Sequence, residues 1–90
     1  MLYMVIERFK DREAIPVYRR FREKGRMTPE GLHYVESWVE TNFGRCFQLM
    51  ECDDPRLLEE WAANWRDLVE FEFVPVGTSK QAAELLAPKL

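Results

Sequence analysis

The spacing of apolar and polar residues divides the chain into strands and helices. The first stretch, LYMVIERF from Leu2, is apolar at both odd and even positions, which is typical of a strand covered on both faces. The segment up to Gly25 then places apolar residues at helical spacing and closes on a glycine. Because a proline is tolerated in the first turn of a helix, Pro16 predicts a helix start near Glu13 or Ala14.

The segment from Gly31 to Cys52 alternates as two strands and predicts a β-hairpin. If its loop consists of two residues at Phe43 and Gly44, Glu36 lies opposite Glu51 and Trp38 lies opposite Leu49. This register would place the two glutamates side by side on the face that carries Tyr34, Trp38, Phe47 and Leu49.

The second half of the chain predicts two more helices around a last strand. Asp53, Asp54 and Pro55 provide a capping acceptor, a negative charge and a proline at a helix start. The residues expected on the buried side of this helix are Leu57, Leu58, Trp61, Trp65 and Leu68. The stretch VEFEFVPV predicts a strand, and its proline indicates a position at the edge of the sheet. Thr78 and Gln81 form a capping-box pattern that predicts a short C-terminal helix.

The order of these elements is β-α-β-β-α-β with a tail helix, which predicts an α+β, ferredoxin-like fold. In that fold the four-stranded antiparallel sheet has the strand order 4-1-3-2. The first and third strands carry the most continuous apolar runs, which indicates that they lie at the centre of the sheet. Pro75 indicates that the last strand lies at its edge. Ninety residues allow one domain, so residues 1–90 are expected to form a single unit.

The two central strands are apolar on both faces, although both crossing helices are expected on one face. Exposing several hundred square ångströms of apolar sheet would cost on the order of 10 kcal/mol, comparable to the stability of a small domain. A second copy, packed sheet against sheet around a two-fold axis, is the simplest cover. We therefore expect a homodimer, with the chain itself as the partner.

Composition narrows the class of protein further. No apolar run reaches the ~20 residues that cross a bilayer, and the N-terminus does not resemble a secretory signal, so we expect a cytoplasmic protein without a membrane partner. Cys46 and Cys52 would be about 20 Å apart on one extended strand, too far for a disulfide. One histidine and two distant cysteines match no metal-ligand spacing.

Nucleic-acid binding is disfavoured as well. An RNA-recognition domain has the same order of elements, but the strand GRCFQLME lacks paired stacking aromatics at alternate positions. The net charge of −3 also opposes contact with a phosphate backbone.

Several motifs together resemble the dimeric α/β-barrel superfamily and, within it, a family of short bacterial proteins of unknown function. They are LYMVIERF at the start, Trp38, GRCFQLMECDDP from Gly44 to Pro55, Trp65, and FEFVPV from Phe71 to Val76. The resemblance implies ferredoxin-like protomers paired through their sheets. Superfamily members include quinol-type monooxygenases, muconolactone isomerase and haem enzymes, usually with a pocket between sheet and helices. The haem-degrading members use a late histidine, whereas the only histidine here is His33 in the second strand, so no cofactor is expected.

Seven residues are candidates for a functional site. If Glu36 and Glu51 are neighbouring carboxylates, their mutual repulsion would raise the pKa of one of them and allow acid–base catalysis beside Trp38. The alternative is that each forms a salt bridge or is simply exposed to solvent. His33 at a strand end is a further catalytic candidate, although such residues are more often on the surface. Tyr34, Trp38, Trp61 and Trp65 are candidates for contacting a flat apolar ligand, with core packing the alternative for the two helical tryptophans.

These observations support three hypotheses about function. The leading one is a homodimer that binds a small apolar or aromatic molecule between sheet and helices. The second is a cofactor-independent monooxygenase or isomerase that uses Glu36, Glu51 or His33. The third is a structural association module without a ligand. An open pocket without converging polar groups would favour binding, a pocket in which Glu36 and Glu51 converge would favour catalysis, and a closed, filled core would favour the structural role.

Overall fold

A computed structural model describes all 90 residues and shows an α+β fold with one four-stranded antiparallel sheet. The strands are β1 (Leu2–Phe9), β2 (His33–Val39), β3 (Arg45–Glu51) and β4 (Val69–Val76), and the helices are α1 (Ile15–Lys24), α2 (Arg56–Ala62) and α3 (Ser79–Leu86). The strands lie in the order β2-β3-β1-β4, so the predicted sheet order is confirmed. None of the helices is long and apolar enough to cross a lipid bilayer.

The side chains of β1 alternate strictly between two environments. Tyr3, Val5, Glu7 and Phe9 are buried on the face that also carries the buried residues of β3, and we call this the helix face. The intervening Leu2, Met4 and Ile6 are only half-buried and lie on the opposite, open face. The strand is therefore apolar on both sides, as its sequence indicates.

The core lies between the helix face and α2. Leu58 and Trp61 of α2 are each 1% exposed, and the Trp61 ring packs edge-on against Phe71 of β4 at a centroid distance of 5.6 Å. In contrast, α1 has no fully buried residue, and its Tyr18 and Phe21 stay 46% and 41% exposed. The first helix thus rests on the rim of the core and leaves room beneath it.

The helix ends follow the local sequence signals. Pro16 lies in the first turn of α1, and Gly25 ends the helix with φ +71°, a conformation that glycine adopts more easily than other residues. Asp54 accepts a hydrogen bond from the backbone N–H of Arg56 at 3.0 Å. Thr78 and Gln81 form the predicted capping box at the start of α3.

The second helix is shorter than its apolar spacing indicates. It ends at Ala62, and a series of turns follows up to Leu68. Trp65 is nevertheless 5% exposed, because the turns continue over the sheet and carry its ring into the core. Burial here follows the position of the chain over the sheet and does not require helical geometry.

The predicted register of the hairpin is wrong. The loop consists of the four residues Thr41 to Gly44, in which Asn42 accepts a hydrogen bond from the N–H of Gly44 at 2.8 Å and Phe43 has φ +59°. Glu36 consequently lies opposite Leu49 rather than Glu51. The two glutamates are not cross-strand neighbours.

A β-bulge adds a second correction. The pairing shifts by one residue between Tyr34 and Glu36, so Val35 is the extra residue of β2. Since a shift of one residue reverses the faces, Tyr34 lies on the helix face while Glu36 and Trp38 lie on the open face. The shared face predicted for Tyr34 and Trp38 does not exist.

We expect Leu58→Ala to lower the free energy of unfolding by about 2–4 kcal/mol, because it removes a fully buried side chain from a packed core. Ile15→Ala on α1 is the matched control, since Ile15 is 67% exposed and should change stability by less than about 0.5 kcal/mol. Urea denaturation followed by circular dichroism measures both. Equal losses for the two variants would contradict the assignment of the core.

Candidate functional site

A cavity of about 130 Å³ lies between α1 and the helix face of the sheet. We call it the α1 cavity. Val17, Tyr18 and Phe21 of α1 form its outer wall, and Trp61 and Trp65 close another side. Eight of its twelve lining residues are hydrophobic. The space exists because α1 is held away from the sheet.

The floor of the α1 cavity is polar, although it belongs to the two central strands. Glu7 of β1 is 5% exposed and Gln48 of β3 is 7% exposed, and both line the cavity. The side-chain amide of Gln48 donates a hydrogen bond to Oε2 of Glu7. The other carboxyl oxygen, Oε1, has no nitrogen or oxygen partner. Because no fully buried side-chain oxygen lacks a partner, Oε1 keeps some exposure, and Glu7 lines the cavity.

Burial changes the acidity of this carboxyl group. Loss of hydration raises the pKa of Glu7 to about 7, because the charged form is poorly solvated beneath the helices. The hydrogen bond from Gln48, the positive charge of Arg26 and a hydrogen bond from the Cys46 thiol oppose this rise but do not cancel it. Glu7 therefore exists in both protonation states near neutral pH.

Arg26, in the loop after α1, holds this polar floor in place. Its Nε donates to Oε1 of Gln48 at 2.9 Å, which turns the Gln48 amide N–H₂ toward Glu7. The guanidinium carbon lies 3.7 Å from the ring centroid of Tyr34 and 5.1 Å from that of Phe21. These cation–π contacts fix the guanidinium at the edge of the cavity.

The main chain of Arg26 is fixed as firmly as its side chain. Its carbonyl oxygen accepts hydrogen bonds from the indole N–H groups of Trp61, at 2.9 Å, and Trp65, at 3.1 Å. Both large rings thereby satisfy their only polar atom while packing in the core. The same pair of bonds sets the position of the two rings as cavity walls.

Cys46 adds a thiol to the cavity lining. It is 8% exposed, and burial, together with the Glu7 carboxylate, raises its pKa to about 12. Such a thiol stays protonated and is a poor nucleophile. Burial likewise raises the pKa of Tyr18 above its ordinary value.

The candidate residues from the sequence divide between the two faces. Trp61 and Trp65 line the α1 cavity, and Tyr34 stacks on Arg26 beside it. Trp38 lies on the open face and is 52% exposed. Glu36 is also exposed there and accepts a hydrogen bond from the N–H of Ser37.

Glu51 and His33 lie opposite each other at the far end of the sheet. Glu51 forms an ion pair of 3.0 Å with the N-terminal amine of Met1, and His33 is exposed at the start of β2. Neither residue lines the α1 cavity. The three predicted catalytic side chains therefore lie away from Trp61 and Trp65, which line the cavity on the helix face.

The residues that form the polar floor were missed, yet the sequence carries a signal for them. Glu7 lies between Val5 and Phe9 on the apolar face of β1, and Gln48 interrupts the corresponding face of β3. A charged residue at a core position of a central strand is costly to bury and suggests a functional or structural reason. The sequence carries no comparable signal for Arg26, because its contacts are with residues that are distant in the sequence.

No group of three or more His, Cys, Asp and Glu side chains has the geometry of a metal site. A family model described as "Domain of unknown function (DUF3303)" matches residues 1–90. No curated protein has a significant match to the chain. No solved structure has one either.

We expect the free energy of unfolding to fall as the pH rises from about 4.5 to about 7. Across this range the folded protein keeps a proton on Glu7 that the unfolded chain releases, so higher pH favours unfolding. The difference between the two pKa values corresponds to roughly 3 kcal/mol. Urea denaturation at a series of pH values measures this slope.

Glu7→Gln should remove most of this slope and be more stable than the wild type at pH 8. Glu70→Gln on β4 is the matched control, since Glu70 is exposed, and should keep the slope. A Glu7→Gln variant with the same pH dependence as the wild type would show that Glu7 is not the responsible group.

Proposed function

The chain belongs to the DUF3303 family, a domain family of unknown function, and from its structure we propose that it binds a small apolar molecule in the α1 cavity. The observation that carries this proposal is a mostly hydrophobic cavity with a few converging polar groups, the usual composition of a ligand site. The aromatic residues Phe9, Tyr18, Phe21, Trp61 and Trp65 provide flat walls.

The volume limits the size of the ligand. A cavity of about 130 Å³ is smaller than the ~300–1,000 Å³ of typical drug-sized sites. It is similar to an engineered apolar cavity of about 150 Å³ in another protein that binds benzene. The proposed ligand is therefore a molecule with a single ring.

Binding is better supported than the two other hypotheses from the sequence. The enzyme hypothesis named Glu36, Glu51 or His33 beside Trp38. Glu36 lies opposite Leu49, Glu51 lies opposite His33, and none of the three lines the α1 cavity. The structural hypothesis called for a filled core between sheet and helices, whereas space remains under α1.

We expect toluene to bind the wild-type protein and to shift the indole N–H resonances of Trp61 and Trp65 in two-dimensional NMR spectra. Trp38 is an internal control, because it lies on the opposite face of the sheet and its resonance should not move. Val17→Phe should weaken binding at least tenfold by filling the cavity, while Ile15→Phe on the exposed side of α1 should not. Equal shifts at all three indoles would indicate nonspecific contact and contradict the proposal.

We further propose that the protein acts as a homodimer with the ferredoxin-like, dimeric α/β-barrel architecture. This proposal is supported by the open face of the sheet, where the pairing of the strands places eight apolar side chains in one patch. These residues are Leu2, Met4, Ile6, Trp38, Phe47, Leu49, Val74 and Val76. Charged residues surround the patch, among them Arg8, Arg45, Glu51 and Glu72.

An apolar centre with a charged rim is the usual composition of a protein interface. Trp38 is the most exposed member of the patch, and a half-exposed tryptophan on a sheet is typical of residues that dominate binding energy. The tail helix α3 has no buried residue, and its Leu85 is 76% exposed, so a second copy would also give this helix an apolar surface to cover. A two-fold pairing of the open faces would cover the apolar patch.

The wild-type protein should elute with twice the chain mass of 10.8 kDa when size-exclusion chromatography is coupled to light scattering. Leu49→Arg places a charge at the centre of the patch, between Met4 and Glu36, and should yield monomers at micromolar concentration. Ile15→Arg on α1 should leave the dimer intact. A wild-type monomer at that concentration would rule out the proposed pairing.

A further inference from the structure

The floor of the α1 cavity presents one carboxyl oxygen of Glu7 as an acceptor. Oε2 of Glu7 is taken up by the Gln48 amide, and Oε1 keeps some exposure and has no nitrogen or oxygen partner. Of the other polar lining groups, Gln48 and Ser37 are engaged, whereas the Tyr18 hydroxyl and the two Nη groups of Arg26 form no hydrogen bond. Gln48 bonds to Arg26 and Glu7, and the Ser37 hydroxyl pairs with the Tyr34 hydroxyl at 2.7 Å.

This arrangement selects for a particular ligand chemistry. We infer that the α1 cavity binds a single-ring molecule that carries one neutral hydrogen-bond donor, a ring hydroxyl or N–H, and that Oε1 of Glu7 accepts this bond. The inference rests on the proposed binding function and assigns the group that gives it specificity. A purely apolar ligand would bury Oε1 without a partner, which is costly for a polar atom.

The charges around the cavity argue against ionic ligands. An anion would meet the Glu7 carboxylate, and a cation would meet the Arg26 guanidinium, which lies at the same cavity edge. At pH 8, where Glu7 is mostly ionised, the two charges oppose each other and leave the site close to neutral. A neutral donor satisfies Oε1 without adding a charge to a buried site.

The Arg26–Gln48–Glu7 series of hydrogen bonds fixes the direction of the acceptor. Arg26 holds the carbonyl oxygen of the Gln48 side chain, so its N–H₂ group must point to Glu7. Arg26 is itself held by Tyr34, Trp61 and Trp65. Glu7 is thus ordered before a ligand arrives, which reduces the entropy cost of binding.

Protonation of Glu7 should affect the two classes of ligand differently. The groups that face it are Arg26 from the loop, Tyr18 from α1 and Cys46 from β3, while β4 presents only Phe71 at the cross-strand position. Tyr18 and Cys46 stay protonated at neutral pH, so Glu7 is the group that titrates there. A carboxylate accepts a stronger hydrogen bond than a carboxylic acid does.

The test compares phenol with toluene, two molecules of nearly the same shape. For the wild type at pH 8, NMR titration should give a dissociation constant for phenol at least tenfold lower than that for toluene. Phenol should bind about tenfold more weakly at pH 5.5 than at pH 8, whereas the affinity for toluene should not fall. Glu7→Gln should reduce the preference for phenol over toluene about tenfold and remove the pH dependence of phenol binding.

The outcomes separate this inference from the proposed function. If neither compound binds, the proposed function fails and this inference fails with it. If toluene binds and phenol binds no tighter, only the assignment of Glu7 as acceptor is wrong. Tighter binding of benzylamine or benzoate than of phenol would overturn the preference for a neutral donor. Should Glu7→Gln not fold, the wild-type comparison and its pH dependence still decide the question.

Discussion

The structure depends on one residue, Arg26, at which the two helical segments and the sheet are joined. Its carbonyl oxygen accepts both core indole N–H groups, and its guanidinium holds Gln48 on the central strand β3. Without this carbonyl, Trp61 and Trp65 would be buried with unpaired donors, at a cost of about 1–3 kcal/mol each. The loop after α1 is therefore required for the core as well as for the cavity.

A second group of polar contacts joins α1 to the segment after α2, although α1 has no fully buried side chain. Arg20 of α1 forms a two-pronged ion pair with Asp67, with bonds of 2.7 and 2.6 Å, and also donates to the carbonyl of Asn64. These polar contacts join α1 to the turns that follow α2, and the cavity lies between α1 and the sheet.

The buried carboxyl of Glu7 has opposite effects on stability and on recognition. Its charged form destabilises the folded state, because the surrounding rings replace water. The same desolvation makes Oε1 a strong acceptor for any neutral donor that enters. Membership in the DUF3303 family does not specify an activity, so the chemical character of this cavity is the most direct indication of a ligand. The open face of the sheet presents a separate surface, with an apolar centre and charged residues around it.

The sequence by itself determined the elements, their order and the strand order, because these follow from local spacing, caps and the apolar content of β1 and β3. It also identified Trp61 and Trp65 as core or cavity residues. Only the tertiary structure decided the register of the hairpin. A hairpin with a four-residue loop and a bulge at Val35 differs too little in energy from one with a two-residue turn for the residue types alone to distinguish them. Tertiary structure alone also brought Arg26 to Gln48 and Glu7, because that contact joins three segments distant in sequence.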